Sequence, residues 1–183
     1  MPINRIKYYL LVLAAVTSAG GSSCYHSEKN KTLIGIEHLP HFTLLTINNS
    51  RIIESTAVCN GRPCLFYYID PDCPHCQNEA REVVRNLGAL RSVNIYFVSE
   101  SSHGAIDTFY HHFNLDKARN VFVALDSGYS FFNSFLPTSI PYTAVYNENG
   151  SLLRTFYGEA NIDTIISLVA PKFTAQYELR YSN

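Results

Sequence analysis

No lysine- or arginine-rich run, no low-complexity segment and no internal repeat occurs in this chain of 183 residues, whose formal net charge is −1. Without a basic patch there is no electrostatic footprint for a nucleic acid, and that class of partner is set aside. The apolar stretch at residues 10–16 falls well short of the roughly 20 residues that a permanent membrane-spanning helix needs. Zinc is also disfavoured: a structural site takes about four nitrogen or sulfur ligands, and no second close-spaced pair follows Cys73 and Cys76. We therefore expect no bound metal and no cofactor. A hydrophobic content of 46% in a chain of this length suits one packed domain plus an export segment.

The first two dozen residues have the pattern of such a segment. Arg5 and Lys7 give a positive start, residues 10–16 an apolar centre, and residues 17–23 a zone of mostly small side chains. Cys24 follows directly and resembles the lipidated cysteine of bacterial lipoproteins, although Gly21 stands where those signals usually carry an aliphatic residue. Ordinary cleavage near Ala19 is the alternative. Five cysteines are an odd count for an exported protein. Assigning Cys24 to a lipid leaves four, which can pair. The expected organisation is a signal peptide over 1–23, a polar tether over 24–32, a folded domain over 33–171 and a tail over 172–183.

The richest stretch runs from Cys64 to Glu79. Its first six residues carry no charge, are rich in aromatics and stop at Asp70-Pro71, which predicts a strand buried on both faces. Pro74 suits the first position of a helix, where its missing N–H is not needed. Beyond it Cys76, Ala80, Val83, Val84, Leu87 and Leu90 share one face, which predicts a helix over 74–90. Cys73 should then lie at the exposed mouth of that helix and Cys76 on its inner side. Thiol–disulfide exchange requires this asymmetry, with one sulfur attacking and the other waiting to resolve the mixed disulfide.

Around this centre the pattern predicts a hairpin over 42–54, strands over 93–98 and 121–125, a helix over about 103–113, and a short helix or irregular connection through Phe131, Phe132 and Phe135. Two strands, 142–146 and 152–157, flank the turn residues Asn147 to Gly150. A last helix follows Asn161, a suitable N-cap. Cys59 and Cys64 bracket an Asn-Gly turn. Either a disulfide closes it, or Cys64 is a small buried hydrophobe and Cys59 a turn residue. The element order gives an α/β fold with a mixed central sheet, helices on both faces and an N-terminal β-hairpin extension.

From about Leu39 to Ala170 this arrangement resembles the membrane-anchored, thioredoxin-like thiol–disulfide oxidoreductases of the TlpA and ResA type. The matching features are the early hairpin, the Cys73-Pro-His-Cys76 motif, Glu79 three residues later, Ile140-Pro141 before a late strand, and the final hairpin and helix. The chain departs from the pattern at Asp72, where an aromatic residue is usual, at Arg81, where proline is common, and in having no tryptophan. The Pro-His dipeptide resembles that of the DsbA oxidases. The resemblance implies a cis-proline at Pro141, a substrate-receiving surface formed by Pro74, Ile140 and Pro141, and a proton-shuttling Glu79 beneath the cysteines. Glu79 could otherwise be a solvated surface residue. His75 either stabilises the Cys73 thiolate or pairs with Glu79 one helical turn on.

The resulting expectation is an extracytoplasmic, lipid-anchored enzyme that exchanges thiols with cysteine-containing envelope proteins, favouring reduction and reset by an upstream redox partner. Two other readings compete with it. A copper-handling module would exploit soft thiolates, and a thiol peroxidase would use Cys73 against peroxide.

Overall fold

A computed structural model describes residues 35–47 and 50–170. The expected signal peptide, the tether with Cys24, Asn48 and Asn49 of the first turn, and the tail lie outside the described residues.

The first hairpin is formed by β1 (Thr43–Thr46) and β2 (Arg51–Glu54), and a single helical turn, α1 (Ser55–Val58), leads out of it. Then come β3 (Cys64–Tyr68), α2 (Pro74–Arg85), β4 (Asn94–Ser99), α3 (His103–His112) and β5 (Val121–Leu125). The chain continues through α4 (Ser130–Phe135), β6 (Tyr142–Tyr146), β7 (Leu152–Tyr157) and α5 (Ile162–Val169). Among the described residues these strands make one mixed sheet in the order β2-β1-β5-β4-β3-β6-β7. Strands β3, β4 and β5 run parallel, and β6 returns antiparallel against β3.

Strand β3 is wholly buried. Leu65 and Tyr67 enter the core shared with α2, α3 and α5, whereas Cys64, Phe66 and Tyr68 enter the core shared with α4 and the N-terminal segment. A strand covered on both faces must be apolar at every position, which is why this one reads as an unbroken run rather than an alternation. The second core is dominated by rings: Phe131 and Phe135 stack at 4.2 Å, and Phe66 lies 5.2 Å from Tyr96. Buried Asp126 caps α4 by accepting from the N–H groups of Phe131 (3.0 Å) and Phe132 (2.9 Å), which accounts for a helix where the sequence left helix and irregular chain both open.

Two boundaries differ from expectation. Helix α2 stops at Arg85, not Leu90, because Asn86 leaves the helix and its side chain bonds back to the carbonyl of Glu82 at 2.9 Å. Leu90 remains fully buried beyond that end, so it mimics a helical periodicity that the backbone no longer follows. The turn α1 is absent from the sequence reading, since four residues are too few to show a period.

Cys59 and Cys64 form a disulfide with their α-carbons 5.2 Å apart. Asn60 and Gly61 take left-handed conformations between them (φ 46° and 74°), which asparagine and glycine tolerate. Closing so short a loop restricts the unfolded chain by about 2 kcal/mol. Cys59→Ser is expected to lower stability by about that amount in urea denaturation, while leaving disulfide exchange intact, because Cys59 lies at the opposite end of β3 from Cys73.

Candidate active site

The site is assembled where β3 ends. Ile69 donates to Val98 at 2.9 Å, and the chain then turns on Asp70, whose carboxylate accepts from the Asp72 N–H (2.8 Å) and whose carbonyl accepts from the Cys73 N–H (3.1 Å). That turn delivers Cys73 as the N-cap of α2, in extended conformation, with Pro74 as the first helical residue. The side chain of Gln77 reaches back to the carbonyl of Pro71 at 3.0 Å and fixes the loop against the first turn.

Cys73 and Cys76 are both free thiols, Cys73 half-buried and Cys76 fully buried. The Cys73 residue is the N-cap of α2, at the end where the first-turn N–H groups and the positive end of the helix dipole lie. Burial pushes the Cys76 thiol far above its ordinary range. The Asp70 backbone opposes this, and the neighbouring Cys73 sulfur adds to it.

Glu79 lies one turn further along α2 and is 2% exposed. Its Oε1 accepts from the N–H of Ala160 at 2.5 Å. Its Oε2 and the hydroxyl of buried Tyr67 both lack a hydrogen bond of good geometry, although the two groups are near enough to sense each other. Burial raises the Glu79 carboxyl to about 7; the Ala160 N–H pulls the other way, and the charge of Glu159 adds to the rise. Tyr67 is pushed well above its usual value, first by burial and then by Glu79. Glu79 is therefore a buried acid that can change protonation near neutral pH, not a solvated surface residue.

Pro141 reaches the same end of the sheet from the neighbouring strand, β6. The pairing of Tyr68 with Tyr142 sets Pro141 level with Ile69, and Gly158 donates to the Pro141 carbonyl at 2.8 Å. The Ile140–Pro141 peptide is cis, and Ile140 is exposed beside it.

His75 does not pair with Glu79, which is turned into the core; its ring binds the carboxylate of Glu159. Asn78 donates to the same oxygen at 3.2 Å, and these two partners hold Glu159 below the usual carboxylate range. Sequence reasoning missed Glu159, Ala160 and Tyr67. Gly158 to Asn161 reads as an ordinary strand-to-helix link, and only the antiparallel return of β6 and β7 brings it against α2. Among the described residues no group of three or more His, Cys, Asp or Glu is placed to hold a metal ion.

The sheet order, the cysteine pair at a helix start and the cis-proline opposite them define a thioredoxin-like fold. Within that fold the chain is similar to solved disulfide oxidoreductases. One is a secreted Mycobacterium tuberculosis disulfide oxidoreductase homologous to E. coli DsbE, with a TM-score of 0.59 and 20% identity over 70% of this chain and 94% of that one. StoA from Bacillus subtilis matches with a TM-score of 0.55 and 19% identity, over 70% of this chain and 95% of that one. The peroxidoxin BcpB from Mycobacterium tuberculosis shares the fold with a TM-score of 0.62 at 11% identity, over 72% and 93% of the two chains. No family model and no curated protein matches the sequence.

Proposed function

We propose that the protein is an extracytoplasmic thiol–disulfide oxidoreductase that reduces disulfides of partner proteins. The observation that carries this is the stacking of three groups at one helix start: a half-exposed Cys73, a buried Cys76 behind it and a buried Glu79 beneath. The Cys73 thiolate attacks one sulfur of a partner disulfide, forming a mixed disulfide and releasing the partner's other sulfur as a thiolate, which takes a proton. Glu79 accepts the Cys76 proton. The Cys76 thiolate then attacks Cys73, releasing the partner's second sulfur and leaving a Cys73–Cys76 disulfide. The partner gains two electrons and the dithiol loses two, so a thiol reductant upstream must reset the couple. The export pattern and Cys24 support a lipid-anchored placement at the envelope.

We favour reduction over oxidation on one sequence feature, the exposed acidic residue Asp72 immediately before Cys73. The peroxidoxin likeness keeps peroxide in the test as a competing substrate, although the loop from Ile69 to Asp72 contains no threonine of the kind normally placed before a peroxidatic cysteine. The reduced protein is expected to reduce insulin disulfides and lose two thiols per bond cleaved. Faster thiol loss with hydrogen peroxide than with insulin would replace this reading by the peroxidase one, and no reaction with either would sink both.

A further inference from the structure

Charge is distributed unevenly between the two ends of the sheet. The loops at the cysteine end are residues 69–73, 99–102, 126–129, 136–141 and 158–161, and none contains lysine or arginine. They carry Asp70, Asp72, Glu100 and Glu159 at least partly open to solvent, with Asp126 buried behind them. The basic groups that border them are His75, held by Glu159, His103 at the start of α3, and Arg81 and Arg85 of α2, which line a hollow together with Glu159. Arg81 is bonded to Asn78 with its guanidinium over the Phe113 ring at 5.4 Å, and Arg85 is paired with Glu82. At the opposite end the loops expose Arg62, Arg91, Lys117 and Arg119 against Asp116 and Glu148. Strands of five residues separate the two ends by about 17 Å, more than a Debye length in ordinary buffer.

The acidic end also exposes large apolar side chains. Tyr129 and Leu136 flank α4 in left-handed conformations (φ 53° and 46°), where bulky residues are disfavoured, and both side chains point away from the core. Ile140 precedes the cis-proline, and exposed Tyr157 lies with its ring 5.3 Å from that of Tyr142.

Building on the exchange reading above, we infer that this end is a receptor face for a cationic, partly apolar segment of a partner protein carrying the cysteine to be exchanged. The carboxylates of the loops at this end favour lysine and arginine beside the target disulfide and repel acidic segments. Their summed field steers encounter as well as docking, so the preference resides largely in an association rate that salt weakens.

The test uses the reduced full chain and two symmetric peptide disulfides, one with lysine and leucine beside each cysteine and the other with glutamate in place of lysine. Each rate is divided by that of dithiothreitol on the same peptide, which removes intrinsic differences in reactivity. The uncharged 2-hydroxyethyl disulfide serves as reference. At low salt the lysine peptide is expected to react at least tenfold faster than the glutamate one after this correction, with the ratio collapsing toward one in 0.5 M NaCl. The Asp72→Asn, Glu100→Gln double variant should shrink the low-salt ratio at least threefold, and serine in place of leucine should slow the lysine peptide. Equal corrected rates for the two peptides, or a ratio indifferent to salt, with 2-hydroxyethyl disulfide still reduced, would overturn the receptor face and leave the exchange function standing. Failure to reduce any of the three would overturn both.

Discussion

Cys73→Ser will abolish disulfide exchange, lowering the rate by at least about 10³-fold because a serine hydroxyl does not ionise near neutral pH. Cys76→Ser will do something different: it will still attack, and mixed disulfides between Cys73 and substrate will accumulate on non-reducing gels. The contrast follows from where α2 begins. Cys73 caps the helix, half open to solvent, with the dipole behind it. Cys76 is fully enclosed, and burial keeps its thiol protonated and inert toward outside disulfides. Adducts formed by Cys73→Ser and not by Cys76→Ser would reverse the two roles.

Glu79→Gln should separate activity from stability. The wild-type carboxyl, at about 7, must ionise to take the Cys76 proton. Release of mixed disulfides should therefore accelerate as pH rises through 7, and the variant should lose this rise and release about 10²–10⁴ times more slowly. Stability moves the other way. Because the folded chain holds the Glu79 proton above the ordinary carboxyl value of 4.5, it binds more protons than the unfolded chain between 4.5 and about 7. Stability from this group is full below 4.5 and is lost as pH rises through 7. That span corresponds to about 3 kcal/mol at most. Glutamine keeps an acceptor for the Ala160 N–H without the charge, so the variant should match the wild type at pH 4 and exceed it in urea at pH 8. A variant that released substrate at the wild-type rate at every pH would remove Glu79 from the mechanism.

What the sequence made legible was local. The uncharged run from Cys64, the Pro74 start and the spacing of Cys76 and Ala80 define β3 and α2 because each signal lies within one element. The cis peptide at Pro141 was expected only through the resemblance; nothing in Ser139-Ile140-Pro141 itself demands it. Glu159 and Ala160 were invisible because their roles depend on a neighbour some 80 residues earlier in the chain. The end of α2 was misread for a related reason: Leu90 is buried by tertiary packing, and burial alone imitates helical spacing. His75 was read from its neighbours in sequence, while its actual partner comes from across the fold.

The position of β3 has a further consequence for how the molecule is made. Its pairing with β4 spans 30 residues, from Cys64 to Asn94, but its pairing with β6 joins Cys64 to Tyr146 across most of the domain. Long-range pairings of this kind form slowly, and a chain made from its N-terminus presents its early segments first. Cys73 is thus synthesised well before Pro141, Glu159 and Ala160. Any fragment ending before β7 lacks Glu159, the partner of His75, and Ala160, the hydrogen-bond donor to Glu79.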